Sequence, residues 1–124
     1  MVPGEAARPT LLARYRVLVL HQLPAMAREA GWVVTADHCF GRIVLDHAVG
    51  GCWYDVLDRR RSPAFEQLSD EQLERAVTLA EQVATQGDPL LRRLDEQSLA
   101  WRGKRPKRVA AAGVRPRVLS AGAS

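Results

Sequence analysis

HCFGRIVLDHAVGGCW, residues 38–53, holds two of the chain's three histidines, both of its cysteines and one of its three tryptophans. Read as a helix, the stretch belongs to an all-α protein. Read as paired strands, it belongs to a sheet. The flanking residues favour the helix. Thr35 is a good capping residue, and Asp37 suits the positive end of a helix dipole. Val34 and Cys39 occupy the staple positions on either side of that cap. Gly50-Gly51 then makes continued helix costly, by roughly 1 kcal/mol per glycine against alanine. The pattern predicts a helix over about 36–49, a turn, and a short further helix from Cys52 to Leu57.

The same logic extends in both directions. Toward the N-terminus, Thr10 can cap a helix that begins at Leu11 and places Leu11, Leu12, Tyr15, Leu18, Val19 and Leu23 at helical spacing. Pro24 lacks a backbone donor and should kink or restart that helix. Gly31 should stop it. Trp32-Val33-Val34 has no evident partner strand and reads as a buried connector. Toward the C-terminus, Arg59-Arg60-Arg61-Ser62-Pro63 is a polar loop. Ser69-Asp70-Glu71-Gln72 is a capping box, with Leu68 and Leu73 as its staple. Leu73, Ala76, Val77, Ala80 and Val83 follow on one face, and Glu71 and Arg75 form an i,i+4 pair. Gly87 closes that helix, and Asp88-Pro89 opens another as cap and first-turn proline. Leu90, Leu91, Leu94, Ala100 and Trp101 give it an apolar side, and Gly103 ends it.

These signals predict a compact all-α bundle of four to five helices over residues 10–102, between a flexible arm (1–9) and a disordered basic tail (103–124). Leu18, Phe40, Ile43, Trp53, Leu73, Val77 and Leu94 should lie in the core. A chain of 124 residues, 47% apolar and 26% charged, suits one globular domain. No run approaches the roughly 20 apolar residues of a membrane span, so no membrane partner is expected. The opening MVPGEAARPT lacks the basic-then-apolar pattern of a secretory signal, which makes the cytoplasm the expected location and thiols the expected state of Cys39 and Cys52. The formal charge of +4 is unevenly placed. Residues 103–124 carry six basic side chains and no acid, leaving the remaining 102 residues with 12 basic and 14 acidic ones, a net −2.

On a helix, His38, Arg42 and Asp46 share one stripe, with Arg42 and Asp46 placed for an ion pair. Phe40, Ile43, Val44 and His47 form a second, mostly apolar stripe. Three chemistries deserve weighing. His38, Cys39, His47 and Cys52 are all acceptable zinc ligands, but adjacent ligands on a helix point about 100° apart and no knuckle spacing is present, so no metal is expected. Cys39 or Cys52 could be a nucleophile served by His38 or His47 and oriented by Asp37, Asp46 or Asp55, with Cys39 gaining thiolate character near a helix start. The plainer reading makes both cysteines core filler and His47 a half-buried histidine with a hydrogen-bond partner. Gly50-Gly51 follows a helix rather than a strand, which does not suit a phosphate loop. In the tail, Lys104, Arg105, Lys107 and Arg108 could touch nucleic-acid phosphates.

His38-Cys39-Phe40, Arg42-Ile43, Asp46, Ala48, Gly50 and Trp53, with Pro63-Ala64-Phe65, Leu68-Ser69, Gln72-Leu73 and Ala76-Val77 after them, resemble a family of short bacterial proteins at times loosely labelled acetyltransferase-related. The resemblance spans roughly residues 10–85 and carries no assigned site residue. The sequence therefore leads us to expect a small bacterial interaction or regulatory module, non-enzymatic, without cofactor, whose partner is a protein. One alternative is an enzyme or enzyme subunit, acetyltransferase-related, that uses the His38, Arg42, Asp46 stripe with Cys39 or His47. The other is nucleic-acid association through the tail.

Overall fold

A computed structural model describes residues 7–103. The order is α1 (Arg8–Tyr15), a π-helical segment (Arg16–Gln22), α2 (Leu23–Ala30), α3 (Asp37–Val49), two 3-10 turns (Trp53–Asp55 and Ala64–Gln67), α4 (Asp70–Gln86) and α5 (Asp88–Trp101). Among the described residues there is no strand, so the protein is an all-α bundle. The expectations for the arm before residue 7 and for the tail from Lys104 lie outside the described residues.

The first rod starts earlier than its capping threonine suggests. Pro9 sits in the first turn, where its missing N–H deprives the helix of nothing, and Ala7 in extended conformation serves as N-cap. Pro24 neither breaks nor ends the rod. The turn before it widens instead, and the Leu23 N–H reaches the Leu18 carbonyl five residues back. A proline cannot donate to the carbonyl four residues behind it, and its ring crowds that carbonyl, so a wider turn is one way to keep the helix continuous. The rod closes at Gly31 in left-handed conformation.

α3 begins one residue later than expected, with Ala36 as N-cap and no side-chain cap bond, and ends at left-handed Gly50. In α4 the capping box forms in both directions: the Gln72 N–H donates to Ser69 Oγ at 3.1 Å, and the Ser69 N–H donates to Gln72 Oε1 at 2.9 Å. Gly87 ends α4 and caps α5 in one residue at φ 76° and ψ −151°. A Cβ there would stand 3.7 Å from the Trp32 ring. Asp88 is thereby the first helical residue rather than the cap. Its carboxylate accepts from the Val33 N–H at 2.8 Å and from Arg92 Nε at 2.6 Å, which ties the 31–36 connector to α5.

Five of the residues expected in the core, Leu18, Phe40, Ile43, Leu73 and Val77, are buried together with Val19, Leu23, Ala80 and Leu91. Each such side chain contributes about 1.5–3 kcal/mol by leaving water. Trp53 and Leu94 are half-buried and pack against this core rather than inside it. The buried face of α5 also differs from the expected one. It carries Leu91, Asp95 and Ser98, while Trp101 is exposed. No helix among the described residues is long and apolar enough to cross a membrane.

Candidate functional site

Asp46, near the end of α3, is fully buried, and every lone-pair direction of its carboxylate is used. Oδ1 accepts from the Trp53 N–H and from Arg102 Nη2, both at 2.9 Å. Oδ2 accepts from Ser98 Oγ at 2.6 Å and from Arg102 Nε at 2.8 Å. The fork of Arg102 thus grips Asp46 with two parallel bonds, the geometry that makes arginine–carboxylate pairs strong. Donating to the Asp46 carboxylate pushes the Arg102 guanidinium further above its already high pKa, so it stays charged. One turn earlier, Arg42 donates to Ser98 Oγ at 2.8 Å and to buried Asp95 at 2.6 Å. Two arginines and two aspartates therefore form one hydrogen-bonded chain between α3 and α5, joined at Ser98. Buried charges persist in a protein when they are paired and bonded in this way.

This chain holds the turn after Gly50-Gly51. The Trp53 backbone is fixed by Asp46, and the Arg102 guanidinium lies 4.5 Å from the centre of the Tyr54 ring. Arg59 lies over the same ring at 3.8 Å, and Trp53 meets it edge-on at 4.7 Å. Farther along, the Gln67 side chain clamps the loop. It accepts from the Asp58 N–H and donates to the Asp58 and Arg61 carbonyls, at 2.8, 2.8 and 3.0 Å. Tyr54 and Val56 remain exposed, at 40% and 55%. Among the described residues no carboxylate pairs with Arg59 or Arg61.

The expected site residues are dispersed. His38 is exposed at the start of α3, 4.0 Å from Asp37. Arg42 and Asp46 do not pair with each other. Each finds a partner on or just past α5 instead, because buried Asp95 faces Arg42 and the C-cap Arg102 faces Asp46. The expected Glu71–Arg75 pair gives way too: Arg75 donates to the Ala48 carbonyl near the C-terminal end of α3 at 2.7 Å. His47 is half-buried as expected, its Nε2 donating to the Leu94 carbonyl at 2.9 Å and its ring meeting Trp101 edge-on at 4.8 Å. Cys39 and Cys52 are free, half-buried thiols. Among the described residues no group of three His, Cys, Asp or Glu side chains is placed to hold a metal ion. Lys104, Arg105, Lys107 and Arg108 lie outside the described residues.

The sequence reading missed Asp95, Ser98, Arg102 and Tyr54. The signal was present: Leu91, Asp95, Ser98 and Arg102 recur at helical spacing, so a polar stripe continues an apolar one on the same face. Two adjoining cavities of about 370 and 300 Å³ open beside the turn and share His38, Gly41, Leu45 and Trp53. The larger is also lined by Tyr15, Arg59, Arg61, Pro63 and Phe65, the smaller by Arg42 and Tyr54. A third, of about 580 Å³, lies between His47 and the exposed face of α4.

With this geometry in hand, comparison with known proteins adds no relative: no protein-family model, no curated protein and no solved structure matches the chain.

Proposed function

We propose that this chain is a small, non-enzymatic protein-interaction or regulatory module that presents the 53–61 turn to a protein partner. The observation that carries the reading is the saturated Asp46 carboxylate, held by Ser98 and Arg102 and accepting from the Trp53 N–H, which fixes the start of a turn whose outer side chains are left exposed. Tyrosine, tryptophan and arginine are the residues most often found at the energetic centre of interfaces. A surface already held in its bound shape loses little entropy on association. Trp53, Tyr54 and Arg59 meet both conditions, with the exposed Val56 beside them. Arg59 and Arg61, which have no carboxylate partner among the described residues, favour a partner with an acidic rim, since complementary charge sets orientation and encounter rate.

The enzyme alternative draws little support from the same facts. Arg42 and Asp46 are engaged with α5, and His38 stands apart from both. The proposal places the module in the bacterial cytoplasm, where its two thiols stay reduced. The test is affinity capture from the source cell with the full chain, with Tyr54→Ala/Arg59→Glu, and with Glu81→Gln as a remote control. The reading expects a stoichiometric partner retained by the wild type and the control and lost by the double variant. An identical set of proteins with all three, or steady consumption of acetyl-coenzyme A by the purified chain, contradicts it. A chain ending at Gly103 separates any contribution of the basic tail.

A further inference from the structure

Beyond that outward-facing turn, the groove beside it has features of a small-molecule site. Three independent observations meet there. First, Tyr15 lines the larger cavity while only 1% exposed, and among the described residues nothing hydrogen-bonds its hydroxyl. Its ring stacks on Phe65 at 4.4 Å, which satisfies the aromatic body but not the polar tip. Buried hydroxyls in folded proteins are nearly always paired, so an unpaired one on a cavity wall is a donor waiting for an acceptor. Burial also pushes the phenol well above its ordinary pKa, so it remains an O–H donor.

Second, Gly41 sits in the middle of α3, where glycine is unfavourable to helix. No turn or close approach requires it, because a Cβ at this position would meet nothing within 4 Å. What the missing side chain provides is open space, and that space is the floor shared by both cavities. Third, the lining divides by chemistry. Leu45, Trp53, Pro63, Ala64 and Phe65 are apolar, while Arg59 and Arg61 bring two cations against the single acid Asp37. Cavities of about 300–1,000 Å³ with an apolar lining and a few polar groups are typical of small-ligand sites.

We propose that this groove binds an amphiphilic organic anion, with its flat apolar body over Gly41, Leu45 and Trp53, its charge met by Arg59 and Arg61, and a polar atom accepting from the Tyr15 hydroxyl. The inference rests on different observations, the Tyr15 hydroxyl and the space over Gly41, but Trp53, Arg59 and Arg61 serve both this groove and the surface offered to a protein partner. A ligand seated against Trp53 from the groove side gives the module a means of responding to a metabolite.

The probe is 1-naphthoate, titrated into the full ¹⁵N-labelled chain and followed by NMR, with 1-naphthalenemethanol as its uncharged twin. Saturable shifts are expected at residues 38–45, at 61–65 and at the Trp53 indole, with a Kd below about 1 mM and binding of the twin about tenfold weaker. Arg59→Glu/Arg61→Glu should weaken naphthoate by about tenfold or more, and Tyr15→Phe by about threefold to tenfold. Gly41→Leu should abolish binding while circular dichroism shows an intact helical fold, because leucine is a good helix former placed where its first carbon meets open space. Absence of saturable shifts, equal binding of the twin, or unchanged binding by a folded Gly41→Leu chain overturns the proposal. So does binding of an acidic peptide, acetyl-Glu-Phe-Glu-amide, at these residues when naphthoate does not bind.

Discussion

Asp46 and Tyr15 are buried to nearly the same depth, one on each flank of α3, and the protein treats them in opposite ways. Asp46 receives four hydrogen bonds from three residues, two of them on or just past α5. The Tyr15 hydroxyl receives none among the described residues and borders a groove instead. A buried charge must be answered or it destabilises the fold by several kcal/mol, whereas an unanswered hydroxyl costs roughly 1–3 kcal/mol and can be tolerated where a ligand supplies the missing bond. The difference separates structure from availability. Asp46, one of the candidate catalytic groups in the sequence, is occupied with holding the molecule together, and the group free to meet something new is a tyrosine.

The comparison is easiest to break at its stronger end. Asp46→Ala leaves Arg102 and Ser98 buried without their acceptor and should cost about 3–5 kcal/mol in urea unfolding, enough to bring a small domain near its folding limit. A loss under about 1 kcal/mol would mean that the carboxylate is spare and would reopen the enzyme reading. Arg102→Lys keeps the charge but not the fork. It should cost about 1–3 kcal/mol and loosen Tyr54, whose ring loses its flat neighbour, a change readable as an altered tyrosine and tryptophan fluorescence.

Much of the fold was legible because helix signals are local. The capping box at Ser69–Gln72, the stops at Gly31, Gly50 and Gly87, and the apolar face of α4 each depend on residues within one or two turns of each other. Even the errors were local in scale: Pro9 rather than Thr10 sets the start of the first rod, and the chain answers Pro24 with a widened turn instead of a break. The candidate site was not legible in the same way. Arg42 and Asp46 are at ideal spacing to pair, and nothing within four residues says otherwise. Their partners, Asp95, Ser98 and Arg102, lie more than fifty residues away. Only the packing of α3 on α5 decides that the i,i+4 pair is replaced by two separate ones. The groove depends likewise on the approach of loop 59–65 to α3, which no periodicity encodes.

Smaller effects sharpen the picture. Ser69→Ala removes one half of the capping box at an exposed helix start and should cost about 1 kcal/mol, well below Asp46→Ala and at the low end of Arg102→Lys. Tyr15→Phe should differ in sign, raising stability by about 1 kcal/mol at neutral pH, because it deletes a buried hydroxyl that has no partner among the described residues. Its signature is pH dependence. Burial raises the folded phenol above the ordinary value of 10.0, so above that pH the unfolded chain loses a proton that the folded chain keeps. The folded state then binds more protons and stability falls as pH rises, with a slope of up to one proton. The Phe variant should lack that component of the decline, which paired urea titrations at pH 9 and above would show.

The central claim is that the buried Asp46 chain, not the surface loop itself, sets the position of Trp53 and Tyr54 at the start of the 53–61 turn. Native-state hydrogen exchange at the Trp53 amide tests it most directly, since that N–H is given to Asp46 Oδ1 although the residue is half-exposed. Protection within about tenfold of interior α3 amides such as Ile43 is the predicted result. Exchange as fast as that of the loop amide of Arg61 would contradict it.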